Sequence, residues 1–298
     1  MTVEPTRAGF CAIIGAPNAG KSTLVNQLTG AKIAIVSHKV QTTRARLRAI
    51  VMHGRSQIVL VDTPGIFAPK RKLDKIMVEN AWGGAGEADA VVVLVDGRTG
   101  LTDDVTRILE GLTRAMAEAV LAINKIDLIK RELLLEISAG LNQAFPFTAT
   151  FMVSALKGSG TADLKAWLAA RMPEGPLLYP EDQVADVQLR FMASEITREK
   201  LYNRLHDELP YASTVETESW EERKDGSVKI DQVIYVERDS QKAIVLGQGG
   251  RTIKILGQQA REDMEKYFER RVHLFLFVKV RENWAEDPER LRMMGLDV

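Results

Sequence analysis

The chain has 298 residues, of which 45% are hydrophobic and 27% are charged, and its 40 basic and 40 acidic side chains cancel. This length exceeds that of one typical domain and predicts two domains. The composition is ordinary for a globular protein and excludes a low-complexity or disordered one. The balanced net charge gives no indication of which partner the protein binds. A single cysteine, Cys11 in an apolar run, excludes a disulfide framework and fits a reducing cytosol.

The apolar segments of the chain are too short for a membrane-spanning protein. Residues 1–8 lack the apolar core of a signal peptide. The longest apolar runs, such as 90–95, fall far short of the length that crosses a bilayer. We therefore expect a soluble, cytoplasmic protein that can still contact a membrane surface.

Short apolar runs alternate with helical patterns from residue 8 to about residue 170. The apolar runs lie at 10–14, 46–52, 58–61, 90–95, 119–123 and 149–153. The helical patterns lie at 21–29, 73–82, 102–117, 131–144 and 161–171. Strands that are apolar nearly throughout and separated by helices predict a doubly wound α/β fold with a mainly parallel sheet. Ligands of such sheets bind at the carboxyl ends of the strands.

A segment with three prolines and one glycine, residues 172–180, ends this pattern and is typical of a linker. We expect a first domain at 1–172, a linker at 173–185 and a second, α+β domain at 186–298. The second domain has the predicted order α-β-β-α-α-β, with a terminal helix capped by Asn283. Its elements are predicted at 186–208, 211–220, 228–236, 240–246, 251–269, 272–280 and 284–294.

Residues 15–22 read G-x-x-x-x-G-K-S and lie between an apolar run and a helical pattern. Strand, glycine-rich loop and helix in this order are the context of a phosphate-binding loop. Loop amides would point at the phosphates, Lys21 would neutralise the terminal ones, and the Ser22 hydroxyl would ligate Mg²⁺. Gly15 and Gly20 let the backbone approach closely. The alternative is a glycine turn with a chance Lys-Ser pair, which the context disfavours.

Two further segments predict the rest of a magnesium site. Asp62-Thr63-Pro64-Gly65 follows the run 58–61, so that Asp62 would hold Mg²⁺ through water and the Gly65 amide would contact the γ-phosphate. A threonine hydroxyl on the loop before the second strand would be the other protein ligand of Mg²⁺, and we favour Thr43 over Thr42. The alternative for that loop is a polar surface segment.

Asn124-Lys125-Ile126-Asp127 follows the run 119–123 and predicts the choice of base. A carboxylate accepts two N–H bonds from guanine, whereas adenine offers no such pair, so Asp127 favours GTP over ATP. Ser154-Ala155 ends the next strand and would place amides near the guanine oxygen. The residues predicted to contact GTP are Gly15, Ala16, Pro17, Asn18, Ala19, Gly20, Lys21, Ser22, Thr23, Asp62, Thr63, Pro64, Gly65, Asn124, Lys125, Asp127, Ser154, Ala155 and Leu156; Lys21, Thr43 and Gly65 would act in catalysis.

These five elements, in this order, resemble those of translation-factor-related small GTPases over about residues 8–171. The resemblance implies a P-loop GTPase with a six-stranded sheet. Ras-like enzymes carry a water-orienting glutamine after the glycine that corresponds to Gly65, but here the residue is Ile66, so we expect slow intrinsic turnover. Asn18 resembles the asparagine that seats K⁺ in potassium-activated GTPases; an ordinary turn-forming asparagine is the alternative, and both stay open.

The stretch 244–253 runs from a short apolar helix through G-x-x-G into another helix. This is similar to a type II KH domain, whose glycine loop clamps a single-stranded backbone beside an apolar groove; a glycine helix-helix turn is the alternative. Residues 181–298 contain 19 basic and 24 acidic side chains, a net charge of −5, so we expect few phosphate contacts and a modest salt dependence. The predicted RNA-binding residues are Ile244, Gly247, Gln248, Gly249, Gly250, Arg251 and Lys254.

A GTPase domain followed by one KH domain resembles the Era family, and residues 41–44 and 208–211 add further matches. The resemblance implies a bacterial factor that binds the 3′ region of small-subunit ribosomal RNA and assists assembly of the 30S subunit. It also implies peripheral contact with the inner membrane. We expect GTP, GDP and Mg²⁺ as ligands and a monomeric protein.

Two other classes of protein compete with this interpretation. One is a GTPase whose KH-like domain docks protein partners or the membrane surface without binding RNA, as in Der-type GTPases, although those carry two GTPase domains in tandem. The other is a membrane-surface signalling GTPase with no role in RNA binding. The sequence has no lipidation motif and no basic amphipathic helix, which disfavours that class.

Overall fold

A computed structural model describes residues 5–37, 39, 42–44, 46–206 and 208–296. Within this range the chain forms two compact units. The first comprises the chain up to Ala34, then Thr43–Asp186 and a short terminal piece that begins at Gly295; the second comprises Ile35–Thr42 and Val187–Met294. No helix among the described residues is both long and apolar enough to cross a bilayer.

The first unit alternates strands and helices as the apolar runs predict. Its strands are β1 Arg7–Ile14, β2 Leu47–His53, β3 Ser56–Asp62, β4 Ala90–Asp96, β5 Val120–Asn124, β6 Thr150–Met152 and β7 Ala185–Asp186. Its helices are α1 Lys21–Thr29, α2 Lys72–Gly86, α3 Asp103–Ala115, α4 Arg131–Ala144 and α5 Thr161–Ala169. Apolar clusters fill both faces of the sheet, which explains why the strands are apolar nearly throughout.

The sheet has the strand order β6-β5-β4-β1-β3-β2-β7. Strands β1, β3, β4, β5 and β6 are parallel, whereas β2 runs antiparallel to β3. The mainly parallel α/β fold is therefore confirmed. The expectation of six strands is wrong, because the two-residue strand β7 pairs with Arg48 and Ala49 of β2. A strand this short has no periodicity that a sequence could display.

Buried Gln57 on β3 explains how the proline-rich segment near the end of the first unit is held. Its Oε1 accepts hydrogen bonds from the backbone amides of Leu178 at 2.8 Å and Tyr179 at 3.0 Å. Its Nε2 donates to the carbonyl oxygen of Tyr179 at 2.8 Å. One side chain thus satisfies three backbone groups of a segment that has no helix or sheet partners there.

The second unit has the predicted order of helices and strands. It consists of α6 Leu189–Arg204, β8 Ser213–Glu222, β9 Val228–Val236, α7 Asp239–Leu246, α8 Arg251–Phe268, β10 Val272–Val280 and α9 Pro288–Met293. Strand β9 is central, with β8 antiparallel and β10 parallel to it. Apolar side chains of α6, α8 and the sheet, such as Ile196, Ile230 and Met264, form a core of their own. The α-β-β-α-α-β order of a type II KH domain is therefore confirmed.

The C-terminal helix starts later than the sequence predicts. A 3₁₀ turn occupies Trp284–Glu286, and α9 begins only at Pro288. Asn283, the expected cap, has a φ of 55° and no capping side-chain bond. The cap is instead Asp287, which accepts a hydrogen bond from the Glu289 amide at 3.1 Å. Proline at the first helical position favours this start, because that position needs no amide donor.

Candidate nucleotide and nucleic-acid sites

The predicted phosphate-binding loop lies between β1 and α1, at the carboxyl end of the sheet. Gly20 has a φ of 100°, and a Cβ placed on it would lie 2.4 Å from the side-chain Nδ2 of Asn124. A Cβ on Gly15 would lie 2.4 Å from the carbonyl oxygen of Leu94. Only glycine fits at both positions. Ala16, Pro17 and Ala19 complete the loop, and Thr23 follows Ser22 on the first turn of α1.

Lys21 lies beneath this loop and is only 7% exposed. Its Nζ donates to the carbonyl oxygens of Gly15 at 3.1 Å and Ala16 at 3.0 Å. Burial lowers the pKa of Lys21 to about 8, and the nearby carboxylate of Asp62 opposes this shift only in part. An anionic ligand above the loop would therefore favour the protonated amine.

Three oxygen-bearing side chains converge beside the loop, each from a different part of the first unit. Ser22 Oγ donates to Asp62 Oδ2 at 2.9 Å, Thr43 Oγ1 lies 2.8 Å from Ser22 Oγ, and Thr43 Oγ1 also donates to Asp62 Oδ2 at 3.1 Å. Asp62 is fully buried, and its Oδ1 has no hydrogen-bond partner among the described residues. Burial raises the pKa of Asp62, while Lys21 and the two hydroxyls act in the opposite direction. Hard oxygen donors around a buried, incompletely satisfied carboxylate fit Mg²⁺.

The segment after Asp62 packs directly against the phosphate-binding loop. Thr63 Oγ1 donates to the Ile13 carbonyl at 2.8 Å, and a Cβ on Gly65 would lie 3.1 Å from Pro17 Cα. Pro64 is buried between them. The Ile66 amide donates to the Gly15 carbonyl at 3.1 Å, and its side chain is fully buried in an apolar cluster. Ile66 is therefore a core residue.

Asn124, at the end of β5, connects the phosphate-binding loop to the loop at 154–156. Its Nδ2 donates to the Ala19 carbonyl at 2.8 Å, and its Oδ1 accepts from the Ala155 amide at 2.9 Å. Asp127 Oδ1 accepts from Ser154 Oγ at 2.6 Å, and this bond lowers the pKa of Asp127. The predicted base-recognition residues are thus brought together, and Leu156 beside them is largely exposed.

Lys125 bonds both to the phosphate-binding loop and to Asp96, a residue that the sequence motifs did not reveal. Its Nζ donates to the Asn18 carbonyl at 2.6 Å and to Asp96 Oδ2 at 2.8 Å. Burial alone would raise the pKa of Asp96, but hydrogen bonds from Arg98 and Lys125 lower it to about 2. Asp96 ends β4 as Asp62 ends β3, so an acidic residue after an apolar run was the available signal.

The glycine loop of the second unit joins α7 to α8. Gly247, Gly249 and Gly250 have φ values of 71°, 59° and 75°. A Cβ on Gly247 would lie 2.2 Å from Thr252 Oγ1, whereas Gly249 and Gly250 face open space. Ile244 is 57% exposed and, with half-exposed Ile255, offers an apolar surface beside the loop. Gln248, Arg251 and Lys254 are also exposed there. The predicted RNA-binding residues therefore lie on α7, the glycine loop and the start of α8, and Ile244, Gln248, Gly249, Arg251 and Lys254 are exposed. Gln41, part of the motif at 41–44, lies outside the described residues.

Two family models match the two units of the chain. Residues 10–125 match the model described as 50S ribosome-binding GTPase. Residues 208–285 match the KH domain.

Similar proteins of curated identity cover almost the whole chain. It is 60% identical to GTPase Era of Rhizobium meliloti (strain 1021) over 293 residues, which cover 98% of this chain and 94% of that protein. It is 61% identical to GTPase Era of Mesorhizobium japonicum over 292 residues, with the same coverage.

Two solved structures have the same fold at 34% identity, and each match covers 97% of this chain and 99% of the other. One is Era of Aquifex aeolicus bound to GDP·AlF₄⁻, with a TM-score of 0.92. The other is Era in complex with MgGDPNP and nucleotides 1506–1542 of 16S ribosomal RNA, with a TM-score of 0.93.

Replacement of Ile66 by glutamine should not create a Ras-like hydrolase. The side chain occupies an apolar cluster, so Ile66→Gln should lower the free energy of unfolding by about 1–3 kcal/mol without raising the rate of GTP hydrolysis. Denaturant unfolding and single-turnover hydrolysis measure the two quantities. Ile66→Val, which should cost about 0.5–1.5 kcal/mol, is the matched control. A rate tenfold above that of the wild type in Ile66→Gln would contradict this placement.

The lowered pKa of Lys21 predicts proton uptake when GTP binds. The free protein loses the Lys21 proton near pH 8, whereas bound phosphates favour the charged amine. The dissociation constant should therefore rise between about pH 7 and pH 9, by at most about tenfold per pH unit. Calorimetry near pH 8.5 in buffers of different ionisation enthalpy measures the uptake, and Lys21→Met should remove it. Equal heats in all buffers would contradict the lowered pKa.

Proposed function

The chain belongs to the Era family of GTPases, and we infer that it is a GTP-hydrolysing switch that binds the 3′ region of small-subunit ribosomal RNA. The observation that carries this inference is the convergence of the phosphate-binding loop, the Ser22–Thr43–Asp62 oxygens and the Asn124–Asp127 group at one edge of the sheet. The exposed glycine loop of the second unit supports the RNA-binding half.

The residues of the first unit bind and orient the triphosphate. Backbone amides of the glycine loop and the N-terminus of α1 would bind phosphate oxygens, and Lys21 would exchange its two carbonyl partners for the terminal phosphates. Ser22 and Thr43 would hold Mg²⁺ directly and Asp62 would hold it through water. When bound, the metal neutralises charge that develops on the transferred phosphate. The Gly65 amide would contact the γ-phosphate, which GTP carries and GDP lacks.

Guanine would be recognised by a carboxylate that is already oriented. Ser154 donates to one oxygen of Asp127 and fixes its plane, and the lowered pKa keeps the group ionised at neutral pH. A carboxylate fixed in this way can accept from the N1 and exocyclic amine groups of guanine. With ATP these acceptors would lack their donors, so ATP should be rejected.

The side chain of Ile66 cannot orient the attacking water, because it is buried and has no hydrogen-bonding group. We propose that K⁺ held near Asn18 supplies part of the missing charge stabilisation. Asn18 lies on the loop in a left-handed conformation, φ 62°, and its carbonyl already accepts from Lys125. Turnover should be faster in K⁺ than in Na⁺ at equal ionic strength. Equal rates would exclude the potassium proposal and leave the GTPase assignment intact.

RNA binding would rest on the second unit. The glycine loop allows close approach of a sugar-phosphate backbone, and Ile244 with Ile255 would contact unstacked bases. Arg251 and Lys254 provide local positive charge in a region of net negative charge. Binding of the 30S subunit, a monomeric state and a cytoplasmic location with peripheral membrane contact are further parts of the proposal; co-sedimentation with 30S subunits and with lipid vesicles tests the two associations.

A single negative charge in the glycine loop should weaken RNA binding. Gly249 has a φ of 59° and open space around it, a conformation that Asp and Asn tolerate better than other residues. Gly249→Asp should weaken binding of a 16S 3′-end oligonucleotide by at least about tenfold through repulsion of phosphates. Gly249→Asn, equal in shape but uncharged, is the control and should bind more tightly than Gly249→Asp.

GTP affinity should be the same in both variants and in the wild type. If the wild-type chain bound GTP but not the oligonucleotide, the alternative of a KH-like domain that docks only proteins would be favoured. Equal RNA affinity in all three proteins would place the RNA site elsewhere.

A further inference from the structure

Helix α6 buries an unusual run of polar side chains. Glu195, Arg198 and Glu199 are each less than a tenth exposed, although charged residues are rarely buried without partners. The apolar side of the helix packs on the sheet of the second unit through Met192 and Ile196. The charged side therefore requires another explanation, and the segment 35–42, which belongs to the same unit, provides it.

Arg198 is the central group of this polar face. Its side chain is 2% exposed, and it forms two bonds with Glu195, from Nε to Oε1 at 2.7 Å and from Nη2 to Oε2 at 2.5 Å. Burial alone would lower the pKa of Arg198, but the charge of Glu195 raises it, so the guanidinium stays charged. Nη2 also donates to the backbone carbonyl of Thr42. A charged donor fixed by a bidentate pair holds that peptide more firmly than a neutral one would.

Two further contacts hold the same segment on α6. Glu199 Oε1 accepts from the Val36 amide at 2.9 Å. Lys39 Nζ donates to the carbonyl oxygens of Tyr202 and Leu205 at the end of the helix, where the helix dipole favours a cation. The segment is thus bound at Val36, at Lys39 and at Thr42, and all three contacts are to the C-terminal half of α6 or to the residue that follows it.

The residues that flank this segment are held by the first unit, and those that follow it lie at the predicted magnesium site. Before it, Asn26 of α1 accepts from the amides of Ile33 and Ala34, each at 2.8 Å. After it, Thr43 Oγ1 lies at Ser22 and Asp62. The carbonyl that Arg198 binds belongs to the peptide bond that joins Thr42 to Thr43. One peptide plane separates the contact on α6 from the predicted magnesium ligand.

We propose that Arg198, oriented by Glu195, is a positioning residue that fixes the Thr42–Thr43 peptide and so holds the Thr43 hydroxyl in place for Mg²⁺·GTP. This rests on the proposed function, in which Thr43 ligates Mg²⁺, and adds to it that the loop that carries Thr43 is held at the metal only when a γ-phosphate is present. GDP lacks the γ-phosphate and should not require Thr43, so loss of the Arg198–Thr42 contact should weaken the binding of GTP and not that of GDP. By thermodynamic linkage, if a change in the position of Arg198 changes the affinity for GTP, then bound GTP restrains Arg198 to the same extent. Helix α6 is also the first helix of the proposed RNA-binding unit.

The test uses the full chain with Arg198→Met and Glu195→Gln combined, since removal of one partner would leave a buried unpaired charge. Affinities for GDPNP and GDP are measured in Mg²⁺ for this variant, for the wild type and for Thr43→Val. The ratio of GDPNP to GDP affinity should fall by about tenfold in the double variant, as expected for loss of one charge-assisted hydrogen bond. GDP affinity should be unchanged, and the GDPNP complex should need more Mg²⁺.

Thr197→Val is the matched control, because Thr197 is buried on the same helix but bonds to Gln232 Oε1 at 2.6 Å rather than to the segment 35–42. It should lower stability without changing the affinity ratio. An equal fall of the ratio in Thr197→Val would show that α6 acts only through stability and would overturn the proposal. A wild-type ratio in the double variant, with a lowered ratio in Thr43→Val, would overturn it and leave the GTPase assignment standing. An unchanged ratio in Thr43→Val would instead remove Thr43 from the magnesium site.

Discussion

A buried carboxylate at the end of β3 is the constraint on which the rest of the first unit depends. Asp62 is fully buried, and a charge in that position is tolerated only when other groups compensate it. Lys21, Ser22 and Thr43 do so in part, and one carboxylate oxygen remains for a further partner. The same carboxylate fixes Thr43 and therefore one end of the segment 35–42. The predicted phosphate-binding lysine, the predicted magnesium ligands and the residue that follows the segment 35–42 thus all contact or surround one buried carboxylate.

Much of this site could be predicted because its residues lie at strand ends that local sequence patterns reveal. The spacing of Gly15, Lys21 and Ser22 specifies a loop and a helix start, and Asp127 follows an apolar run. Contacts between distant parts of the chain could not be predicted in that way. Neither the pairing of Lys125 with Asp96 nor that of Arg198 with Thr42 leaves a periodic signal. The strand β7 and the cap at Asp287 were missed because each depends on one or two residues.

The excess of acidic residues in the second unit is explained in part by carboxylates that pair with cations of the same unit. Some of its carboxylates neutralise buried or neighbouring cations rather than face a ligand, as Glu195 does for Arg198 and Glu216 for Arg290. The exposed surface beside Gly249 is apolar and locally basic instead. The net charge of residues 181–298, from which we expect few phosphate contacts and a modest salt dependence, therefore does not describe the local charge of this surface. A clamp for a single strand depends on backbone approach and base stacking more than on overall charge.

The most direct test of the account compares RNA binding by the full-length protein in its nucleotide states. Affinity for an oligonucleotide from the 3′ end of 16S ribosomal RNA is measured with Mg²⁺ and either GDPNP, GDP or a non-hydrolysable ATP analogue. RNA binding should be tight with GDPNP and weaker with GDP, and the ATP analogue should leave the RNA affinity equal to that of the nucleotide-free protein. RNA affinity that is identical in all three states would contradict it.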